Sequence, residues 1–511
     1  MNEQIPPILR PERVAPVVVQ SIIDRFGLEL VGGKASSLVT GISMNTNDLR
    51  SGDLFVAMPG LKTHGANFVS KALELGAAAV ITDTAGLALI GELEVPLLKL
   101  EQPRLHLGDL AAFVYGNLPE TMPLMFGTTG TNGKTSTSYI LEAILRQLGE
   151  VTGLTSTAER HIAGEVIVSR LTTPESTEMQ ALIARMREAK VTAVAIEVSA
   201  QALTQHRIDG INFDVVGFTN LSHDHLDDYR DMSEYLAAKA QLFDPKRAKR
   251  GVICLDSEYG EKFAEQAQIP YVTVATGAPA DFTVTVTEEV PARTGFTLTL
   301  PDGSKIDSWL PIIGAHMASN AGLAIAMLVE AGFDVEKIRK AVAEGIHAYL
   351  PGRTERVTGA TGPDVYVDFG HSPDAFLNTL RAVRKVTRGK VIMLFGADGD
   401  RDATKRPAMA SVSAENCDIL VITDHHPRFE DPASIRKTLV EAAKAARPEL
   451  EIHEVSPPED AIVLAISLAN EGDAILWAGP GHQDYRDIRG VRTPYSARAL
   501  ARAALKAAGW S

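Results

Sequence analysis

The chain has 511 residues, a formal net charge of −14 and a hydrophobic fraction of 45%. This length exceeds what one hydrophobic core supports, and we expect about three domains. The negative charge argues against nonspecific nucleic-acid binding, which needs surplus Lys and Arg. Two cysteines are too few for a disulfide framework, and no apolar stretch approaches the ~20 residues that span a bilayer. The N-terminus lacks the basic and apolar regions of a signal peptide. We therefore expect a cytoplasmic, monomeric enzyme without nucleic-acid or membrane partners.

The first segment, residues 1–121, has the pattern of a small α/β domain. Residues 52–57 form a predicted strand after a turn, residues 68–78 a helix and residues 79–83 a second strand.

A glycine-rich stretch, GTTGTNGKT over residues 127–135, separates an apolar run from a segment with helical spacing. Strand, turn and helix in this order suit a phosphate cradle, because glycines let backbone N–H groups point at anionic oxygens. Lys134 adds a cation for the β- and γ-phosphates, and Thr135 offers a hydroxyl to Mg²⁺. The alternative is a strand–helix turn without a ligand. We predict a nucleoside triphosphate site made by Gly130, Thr131, Asn132, Gly133, Lys134, Thr135 and Ser136.

Residues 122–349 alternate apolar strands with amphipathic helices, which predicts a parallel sheet covered on both faces. Within this segment, residues 281–300 show period-two alternation and predict an antiparallel appendage. Residues 350–353 contain Pro and Gly together after a helical run, and we interpret them as a linker.

Two polar groups follow strands of this central segment. Glu197 ends one predicted strand, and the run NLSHDHLD, which contains His225, follows the next. Side chains just past neighbouring strands reach one cation, and Mg²⁺ prefers oxygen ligands. For Asp224 and Asp227, helix capping is an equally good reading. Together with the phosphate loop, the cluster indicates a metal–nucleotide site.

The last segment, residues 350–511, repeats the α/β pattern and predicts a Rossmann-like domain. Three of its strands end in polar or glycine-rich loops at residues 396–402, 425–428 and 479–482. Ligands of open parallel sheets bind beyond the carboxyl ends of the strands, so these loops predict one site shared with the central domain.

The combination of GTTGTNGKT, EVS at 197–199, NLSHDHLD and AAKAQLF at 237–243 resembles the Mur ligase superfamily over essentially the whole chain. These are ATP-dependent amide synthetases that build the peptidoglycan stem peptide. The segments GDLFVAMPG at 52–60, PGR at 351–353 and VDFGHSPDA at 367–375 look like those of the tripeptide-forming members, as do GDRD at 399–402 and KRP at 405–407.

This resemblance implies that a carboxylate of UDP-N-acetylmuramoyl-L-Ala-D-Glu takes the γ-phosphate of ATP, and that an amino acid then attacks the acyl phosphate. Lys239 matches the lysine that is carbamylated in the family, and its new carboxylate would join Thr135, Glu197 and His225 around Mg²⁺. Lys134, Lys239, Glu197 and His225 are the implied catalytic residues. The nucleotide would also meet Asn320, Arg353 and Asp368.

The implied substrate residues are Thr46, Thr172, Thr173, Ser199, Gln205, Arg207, Arg401, His425, His426, Arg428, Gly479 and Gln483. For Thr172 and Thr173 the alternative is a simple turn. In the first domain the family's Asp-Ser-Arg is Asn45-Thr46-Asn47, which keeps only the hydroxyl.

The amino-acid pocket departs from the family pattern. The family's Asp-Asn-Pro-Arg is His425-His426-Pro427-Arg428, and its Gly-Lys-Gly-His-Glu ends in Gln483. A buried ammonium without a carboxylate partner is costly. We therefore expect that the added amino acid is neither meso-diaminopimelate nor long and cationic, and that a short or neutral one fits better. Arg401 and Arg428 remain for its α-carboxylate, while Asp424 or Asp484 could swing in to serve an ammonium.

Two other functions compete with this interpretation. One is another amide synthetase of the superfamily, of the folylpolyglutamate or cyanophycin type, which the GDLFVA pattern and the Thr-Thr-Pro motif disfavour. The other is a noncatalytic nucleotide-binding switch, which has no need of the lysine at 239.

Overall fold

Strands and helices alternate along the chain and build three α/β sheets. The computed structural model describes residues 8–224 and 228–510. Each sheet has its own hydrophobic core on both faces, and most neighbouring strands within it run parallel. The chain is therefore an α/β protein with a small N-terminal, a central and a C-terminal domain, as predicted.

The N-terminal domain contains a five-stranded sheet in the order β2-β7-β6-β5-β4 and a two-stranded pair, β1 with β3. Its elements are β1 Val17–Val18, α1 Val19–Phe26, β2 Glu29–Gly32, β3 Leu38–Val39, β4 Gly41–Ser43, β5 Asp53–Ala57, α2 Val69–Glu74, β6 Ala79–Thr82, α3 Thr84–Leu87, β7 Leu97–Lys99 and α4 Pro103–Val114.

The central domain contains an eleven-stranded sheet in the order β11-β10-β9-β12-β8-β13-β14-β15-β16-β17-β18. Its elements are β8 Leu124–Thr129, α5 Lys134–Gln147, β9 Thr152–Thr155, β10 Glu159–Ile162, β11 Glu165–Val168, α6 Ser176–Glu188, β12 Ala193–Glu197, α7 Ala200–Thr204, β13 Phe213–Phe218, α8 Met232–Ala240, β14 Ala248–Cys254, α9 Gly260–Ala264, β15 Tyr271–Thr276, β16 Phe282–Val290, β17 Arg293–Thr299, β18 Lys305–Leu310, α10 Ala315–Glu330 and α11 Val335–Val342.

The predicted antiparallel appendage extends the central sheet. Strand β17 pairs antiparallel with both β16 and β18, and β16 also pairs in parallel with β15. The alternating residues of the hairpin therefore cover helix α10, whose apolar residues belong to the same core as Phe282 and Leu298.

The C-terminal domain contains a six-stranded sheet in the order β19-β20-β24-β21-β22-β23 and the hairpin β25–β26. Its elements are β19 Glu355–Arg356, β20 Asp364–Asp368, α12 Pro373–Val386, β21 Val391–Phe395, α13 Arg406–Asn416, β22 Ile419–Ile422, α14 Pro432–Ala446, β23 Glu451–Glu454, α15 Pro458–Ser467, β24 Ala474–Ala478, β25 Tyr485–Ile488, β26 Val491–Pro494 and α16 Ala497–Ala507.

The carboxyl ends of the two larger sheets face each other. Asn132, which follows β8, donates a hydrogen bond of 3.1 Å to Asp374 at the start of α12. Functional loops of both domains therefore meet in one cleft.

Candidate active site

The phosphate loop lies between strand β8 and helix α5, at the centre of the large sheet. Its backbone takes conformations that only glycine adopts easily. Gly133 has φ +86°, and a Cβ there would lie 2.7 Å from the side-chain oxygen of Asn320. Gly130 has φ +148°, and a Cβ there would lie 1.9 Å from the hydroxyl of Thr219. The glycines thus allow the loop to pack against two neighbouring elements. The N–H groups of Thr131 and Asn132 donate to the carbonyl and side-chain oxygens of Asn220, at 2.8 and 3.0 Å.

Two lysines converge on one carbonyl of this loop. The Nζ of Lys134 donates to the carbonyl oxygens of Gly130 (3.0 Å) and Thr131 (2.8 Å). The Nζ of Lys239, from helix α8, donates to the same Gly130 oxygen at 2.7 Å. Burial, reinforced by the charge of Lys134, holds the pKa of Lys239 well below its ordinary value. Burial also lowers the pKa of Lys134.

Glu197 is the acidic group of the site, and only 2% of its surface is exposed. Its carboxylate accepts hydrogen bonds from the Thr135 hydroxyl (2.9 Å), the Thr157 backbone N–H (2.8 Å) and the Thr157 hydroxyl (3.0 Å). Thr157 follows β9 and was not singled out from the sequence, although a polar residue just past a strand beside β12 was a usable signal. His225, the predicted imidazole ligand, lies outside the described residues.

A cavity of about 240 Å³ connects these groups with the predicted substrate residues. Its walls include Lys134, Thr135, Glu197, Lys239, Thr172, Ser199, Arg207, Arg353 and His371. We call this space the reaction cavity. It brings the phosphate-binding side and the substrate side of the prediction together.

Thr173 has a structural role on the substrate side. Its hydroxyl donates to the carbonyl of Glu197 (2.8 Å) and accepts from the backbone N–H of Ser199 (3.1 Å), and the residue is fully buried. It therefore fixes the turn that presents Glu197. Its neighbour Thr172 lines the reaction cavity, and the Thr172 hydroxyl lies 2.9 Å from that of Thr157.

Arg207 sits at the far wall of the reaction cavity and is already partnered. Its guanidinium donates to the side-chain oxygen of Gln205 at 2.7 Å and lies 3.0 Å from Glu175. Glu175 in turn pairs with Arg104 of the N-terminal domain at 2.5 Å. These partners fix the guanidinium in place, which keeps its planar fork oriented for a carboxylate.

A second cavity, of about 640 Å³, adjoins the phosphate loop on its other side. We call it the nucleotide cavity. Six predicted nucleotide residues line it: Asn132, Gly133, Ser136, Asn320, Arg353 and Asp368. The Asp368 carboxylate also accepts hydrogen bonds from the backbone N–H groups of Thr354 and Gly370, which holds the start of the C-terminal domain against this cavity.

Arg353 links the two cavities, since it lines both. It donates a hydrogen bond of 2.8 Å to the Thr135 hydroxyl, and its guanidinium lies 4.3 Å from the centre of the Phe369 ring. The C-terminal domain thus places a cation directly over the phosphate loop.

The three polar loops of the C-terminal domain meet, as the sequence predicts. The N–H of Gly399 donates to the carbonyl of His426 at 2.8 Å. A Cβ at Gly479 would lie 3.7 Å from the His425 ring, so these loops pack closely around the two histidines.

His426 is a neutral imidazole of defined tautomer. Its Nδ1 accepts from the backbone N–H of Asp487 (2.9 Å), so Nε2 carries the proton and donates to the Gln483 side-chain oxygen (2.8 Å). Burial, followed by the proximity of His426, lowers the pKa of His425 to about 3. His425 is therefore neutral near pH 7.

These loops also hold an acidic side chain that is not among the predicted site residues. Asp398, in the loop after β21, lies 3.7 Å from the Nε2 of His425. Asp424 and Asp484, the two carboxylates that could serve an ammonium there, are paired with arginines. Asp424 pairs with Arg436, and Asp484 lies 3.2 Å from Arg498. Asp398 is therefore a third carboxylate of these loops, besides the two that the sequence analysis names.

Of the twelve predicted substrate residues, three line these two cavities, namely Thr172, Ser199 and Arg207, and the other nine do not. Arg401 is exposed in its loop. Thr46 lies in the loop after β4, which reaches the central domain through an ion pair of 3.1 Å between Asp48 and Arg170. Since Thr172 follows Arg170 closely in sequence, this ion pair couples the Thr46 loop to the wall of the reaction cavity.

Comparison with known proteins matches this arrangement. Three family models cover the chain: "Mur ligase family, catalytic domain" over residues 38–115, "Mur ligase middle domain" over 128–328 and "Mur ligase, glutamate ligase domain" over 352–481. A UDP-N-acetylmuramyl-tripeptide synthetase of Leifsonia xyli subsp. xyli is 51% identical over all of both chains.

The chain belongs to the Mur ligase family. A UDP-N-acetylmuramoyl-L-alanyl-D-glutamate–2,6-diaminopimelate ligase of Streptomyces coelicolor is 42% identical over 97% of this chain and 98% of its own. The protein is an ATP-dependent ligase of peptidoglycan synthesis, and Mur ligases act on UDP-muramoyl peptide substrates.

Solved structures confirm the fold. A diaminopimelate-adding ligase covers 97% of this chain and all of its own with a TM-score of 0.67 and 25% identity. A folylpolyglutamate synthase from Mycobacterium tuberculosis, complexed with ADP, covers 80% of this chain and 96% of its own with a TM-score of 0.61 and 21% identity. Among the described residues, no helix of the Mur ligase is long and apolar enough to cross a membrane.

Proposed function

We propose that this Mur ligase adds the third amino acid to UDP-N-acetylmuramoyl-L-Ala-D-Glu through an acyl phosphate. The observation that carries the proposal is the shared reaction cavity, in which Lys134, Glu197 and Lys239 face the same space as Thr172 and Arg207. The name of the Leifsonia relative points to the same reaction. The proposed domains are residues 1–121 for the UDP-linked substrate, 122–349 for ATP and 350–511 for the amino acid.

The first step joins a substrate carboxylate to phosphate. A carboxylate oxygen attacks the γ-phosphorus, the bond to the ADP oxygen breaks, and negative charge spreads over the transferred group. Lys134 and Arg353 place cations at this group, since both lie at the phosphate loop. Charge stabilisation by such fixed groups is a large part of catalysis.

The second step forms the amide. The neutral amine of the amino acid attacks the acyl carbon, the nitrogen loses a proton, and the tetrahedral intermediate collapses as phosphate leaves. The C-terminal domain covers the phosphate loop through Arg353 and through the Asn132–Asp374 hydrogen bond. This cover excludes water from the acyl phosphate.

The donor set fits Mg²⁺. The Thr135 hydroxyl and the Glu197 carboxylate are hard oxygen ligands that lie 2.9 Å apart next to the phosphate loop. Mg²⁺ bound there would neutralise phosphate charge. His225 belongs to the same proposed ligand set.

Lys239 is proposed to work as a carbamate. Its amine attacks the carbon of CO₂ and forms a C–N bond. The π-electron pair of one C=O bond moves onto its oxygen, and the nitrogen releases a proton, which leaves a carbamate anion. Helix α8 buries Lys239, and its Nζ meets the same Gly130 oxygen as the Nζ of Lys134. A buried anion beside a cation is better compensated than a second buried cation. The carboxylate extends the oxygen donor set.

An ATP-dependent ligation assay on UDP-N-acetylmuramoyl-L-Ala-D-Glu tests this function, with a panel of amino acids and products identified by mass. We expect one amide product per ADP and phosphate released, and a rate lower by about two powers of ten or more with Lys134→Ala. A parallel reaction with a folate substrate and glutamate tests the folylpolyglutamate alternative. ATP binding without ligation of any substrate indicates the nucleotide switch instead. The cytoplasmic location and the monomeric state stay predictions.

A further inference from the structure

Arg353, which reaches over the phosphate loop, is only loosely held by hydrogen bonds. Its guanidinium donates to the Thr135 hydroxyl at 2.8 Å, but its Nε is buried without a hydrogen-bond partner among the described residues. The neighbouring Asp368 carboxylate accepts instead from the backbone N–H groups of Thr354 and Gly370. An arginine side chain loses much rotamer freedom when it is ordered, and one hydrogen bond to a hydroxyl offsets little of that cost.

The second contact of the guanidinium is the ring of Phe369. The guanidinium carbon of Arg353 lies over this ring, 4.3 Å from its centre. A cation is attracted to the face of an aromatic ring within about 6 Å, and the attraction grows when water is excluded from both groups. Phe369 is half-buried and lines the reaction cavity, so the contact lies where the phosphate loop and the substrate side meet.

The backbone ties Phe369 and Arg353 together. The N–H of Thr354, which follows Arg353, donates at 2.8 Å to the side chain of Asp368, which precedes Phe369. The N–H of Gly479 donates to the Asp368 carbonyl at 2.9 Å. The backbone of the C-terminal domain therefore sets the distance between the ring and the guanidinium.

Neighbouring side chains and one glycine enclose the Phe369 ring. The His482 ring lies 5.0 Å from it, and the His371 ring meets it edge-on at 5.2 Å. Gly481 has φ +51°, and a Cβ there would lie 2.5 Å from the Cβ of Phe369. Burial, followed by the charge of Arg353, lowers the pKa of His482 to about 3, so this ring brings no second cation to Phe369 near pH 7.

We propose that Phe369 is a positioning residue that holds Arg353 over the phosphate loop through a cation–π contact. The inference deepens the proposed function and rests on it, because Arg353 is assigned there to the transferring phosphoryl group. A guanidinium in that place attracts ATP more strongly than ADP, which lacks the γ-phosphate and its charge. A weaker ring contact should therefore lower the affinity for ATP and the kcat of ligation more than the affinity for ADP.

Fluorination of this single ring tests the contact. Phenylalanine analogues with one, two or three ring fluorines are incorporated at position 369 alone. Each fluorine withdraws π-electron density from the ring face but changes the outline of the ring little. Dissociation constants for ATP and ADP are measured without the other substrates, and kcat is measured in the ligation assay. We expect the ATP-to-ADP affinity ratio and kcat to fall stepwise, by about tenfold or more with three fluorines.

Conventional variants accompany this series. Phe369→Tyr keeps an aromatic ring and should keep the affinity ratio, whereas Phe369→Leu should lower it by about tenfold or more. Phe113→Leu is the matched control, because it removes a ring that lies 5.6 Å from the guanidinium of Arg25 in the N-terminal domain, outside the reaction and nucleotide cavities. Its affinity ratio should equal that of the unmodified protein. Thermal unfolding checks that each variant is folded.

The outcomes separate this inference from the proposed function. If the ratio falls in Phe369→Leu but not along the fluorinated series, the ring only fills space and the cation–π role is overturned. A ratio that no substitution at position 369 changes also overturns it. If the unmodified protein ligates no amino acid, the proposed function fails, while a stepwise fall of the affinity ratio with fluorination still supports the role of Phe369 in holding Arg353.

Discussion

Lys405 of the C-terminal domain forms an ion pair with Asp224 of the central domain, with 3.0 Å between Nζ and Oδ1. The side chains are only 11% and 7% exposed. His371 lies 3.7 Å from the other oxygen of the same carboxylate. Because Asp224, His371 and Lys134 all border the reaction cavity or its loop, this pair joins the two domains where the chemistry takes place.

Breaking this ion pair should impair domain closure. Removing one partner of a buried pair leaves an uncompensated charge, at a cost of about 3–5 kcal/mol, and the domains can avoid that cost by opening. Lys405→Met and Asp224→Asn should each lower kcat for ligation by about tenfold or more, and the double variant should lose less than the sum. The exposed pair Lys437–Glu441 offers the control, and Lys437→Met should have little effect. Additive losses in the double variant contradict a direct pair.

Lys134→Ala should lower the ligation rate by about two powers of ten or more, because it removes a cation from the transferring phosphoryl group. The variant should fold normally, which thermal unfolding checks. ATP binding is measured in parallel with turnover. If both the ATP affinity and the turnover of Lys134→Ala are unchanged, the phosphate loop takes no part in the mechanism.

Lys239→Ala should nearly abolish ligation, and high bicarbonate should not restore it. Lys239→Arg is the informative companion, because arginine keeps the positive charge but does not form the carbamate. We expect it to be inactive as well. In the unmodified protein, ¹³C-labelled bicarbonate should give a carbamate signal in the ¹³C NMR spectrum. An active arginine variant would show that the group works as a cation.

His161 should make stability depend on pH above neutrality. Although burial lowers its pKa, hydrogen bonds to Glu142 (2.8 Å) and Glu159 (3.3 Å) outweigh this and raise it to about 9, against 6.5 in the unfolded chain. The stabilisation is therefore complete below pH ~6.5 and is lost as the pH rises towards ~9. The melting temperature of the unmodified protein should exceed that of His161→Gln at pH 6, and this difference should shrink by pH 9.5. A difference that is constant with pH contradicts the charged form.

The expectation that meso-diaminopimelate is a poor substrate stays a prediction. His425 and Gln483 stand where the family has the acidic residues that would meet its distal ammonium. We expect kcat/KM for meso-diaminopimelate to fall below that for the best amino acid with one carboxylate. The same panel of amino acids measures it. A kcat/KM for meso-diaminopimelate above the values for lysine, ornithine and 2,4-diaminobutyrate contradicts the prediction.

The local sequence determined the phosphate loop, the strands and the family. Glycines at 130 and 133 are needed where φ is positive and neighbours approach closely, and apolar runs without charges form buried parallel strands. Such features depend on residues that are adjacent in the chain, so the local sequence pattern is enough to predict them. The placement of Glu197 at the end of β12 is of this kind.

Only the tertiary structure decided which charged groups face each other. The sequence contains Asp398, Asp424 and Asp484 in similar polar loops, but Arg436 and Arg498 occupy the last two and leave the first beside His425. The tautomer of His426 likewise depends on the distant Asp487 N–H. Electrostatic partners of a site come from segments far apart in the chain, and their distances, which set the interaction energy, exist only once the domains have packed together.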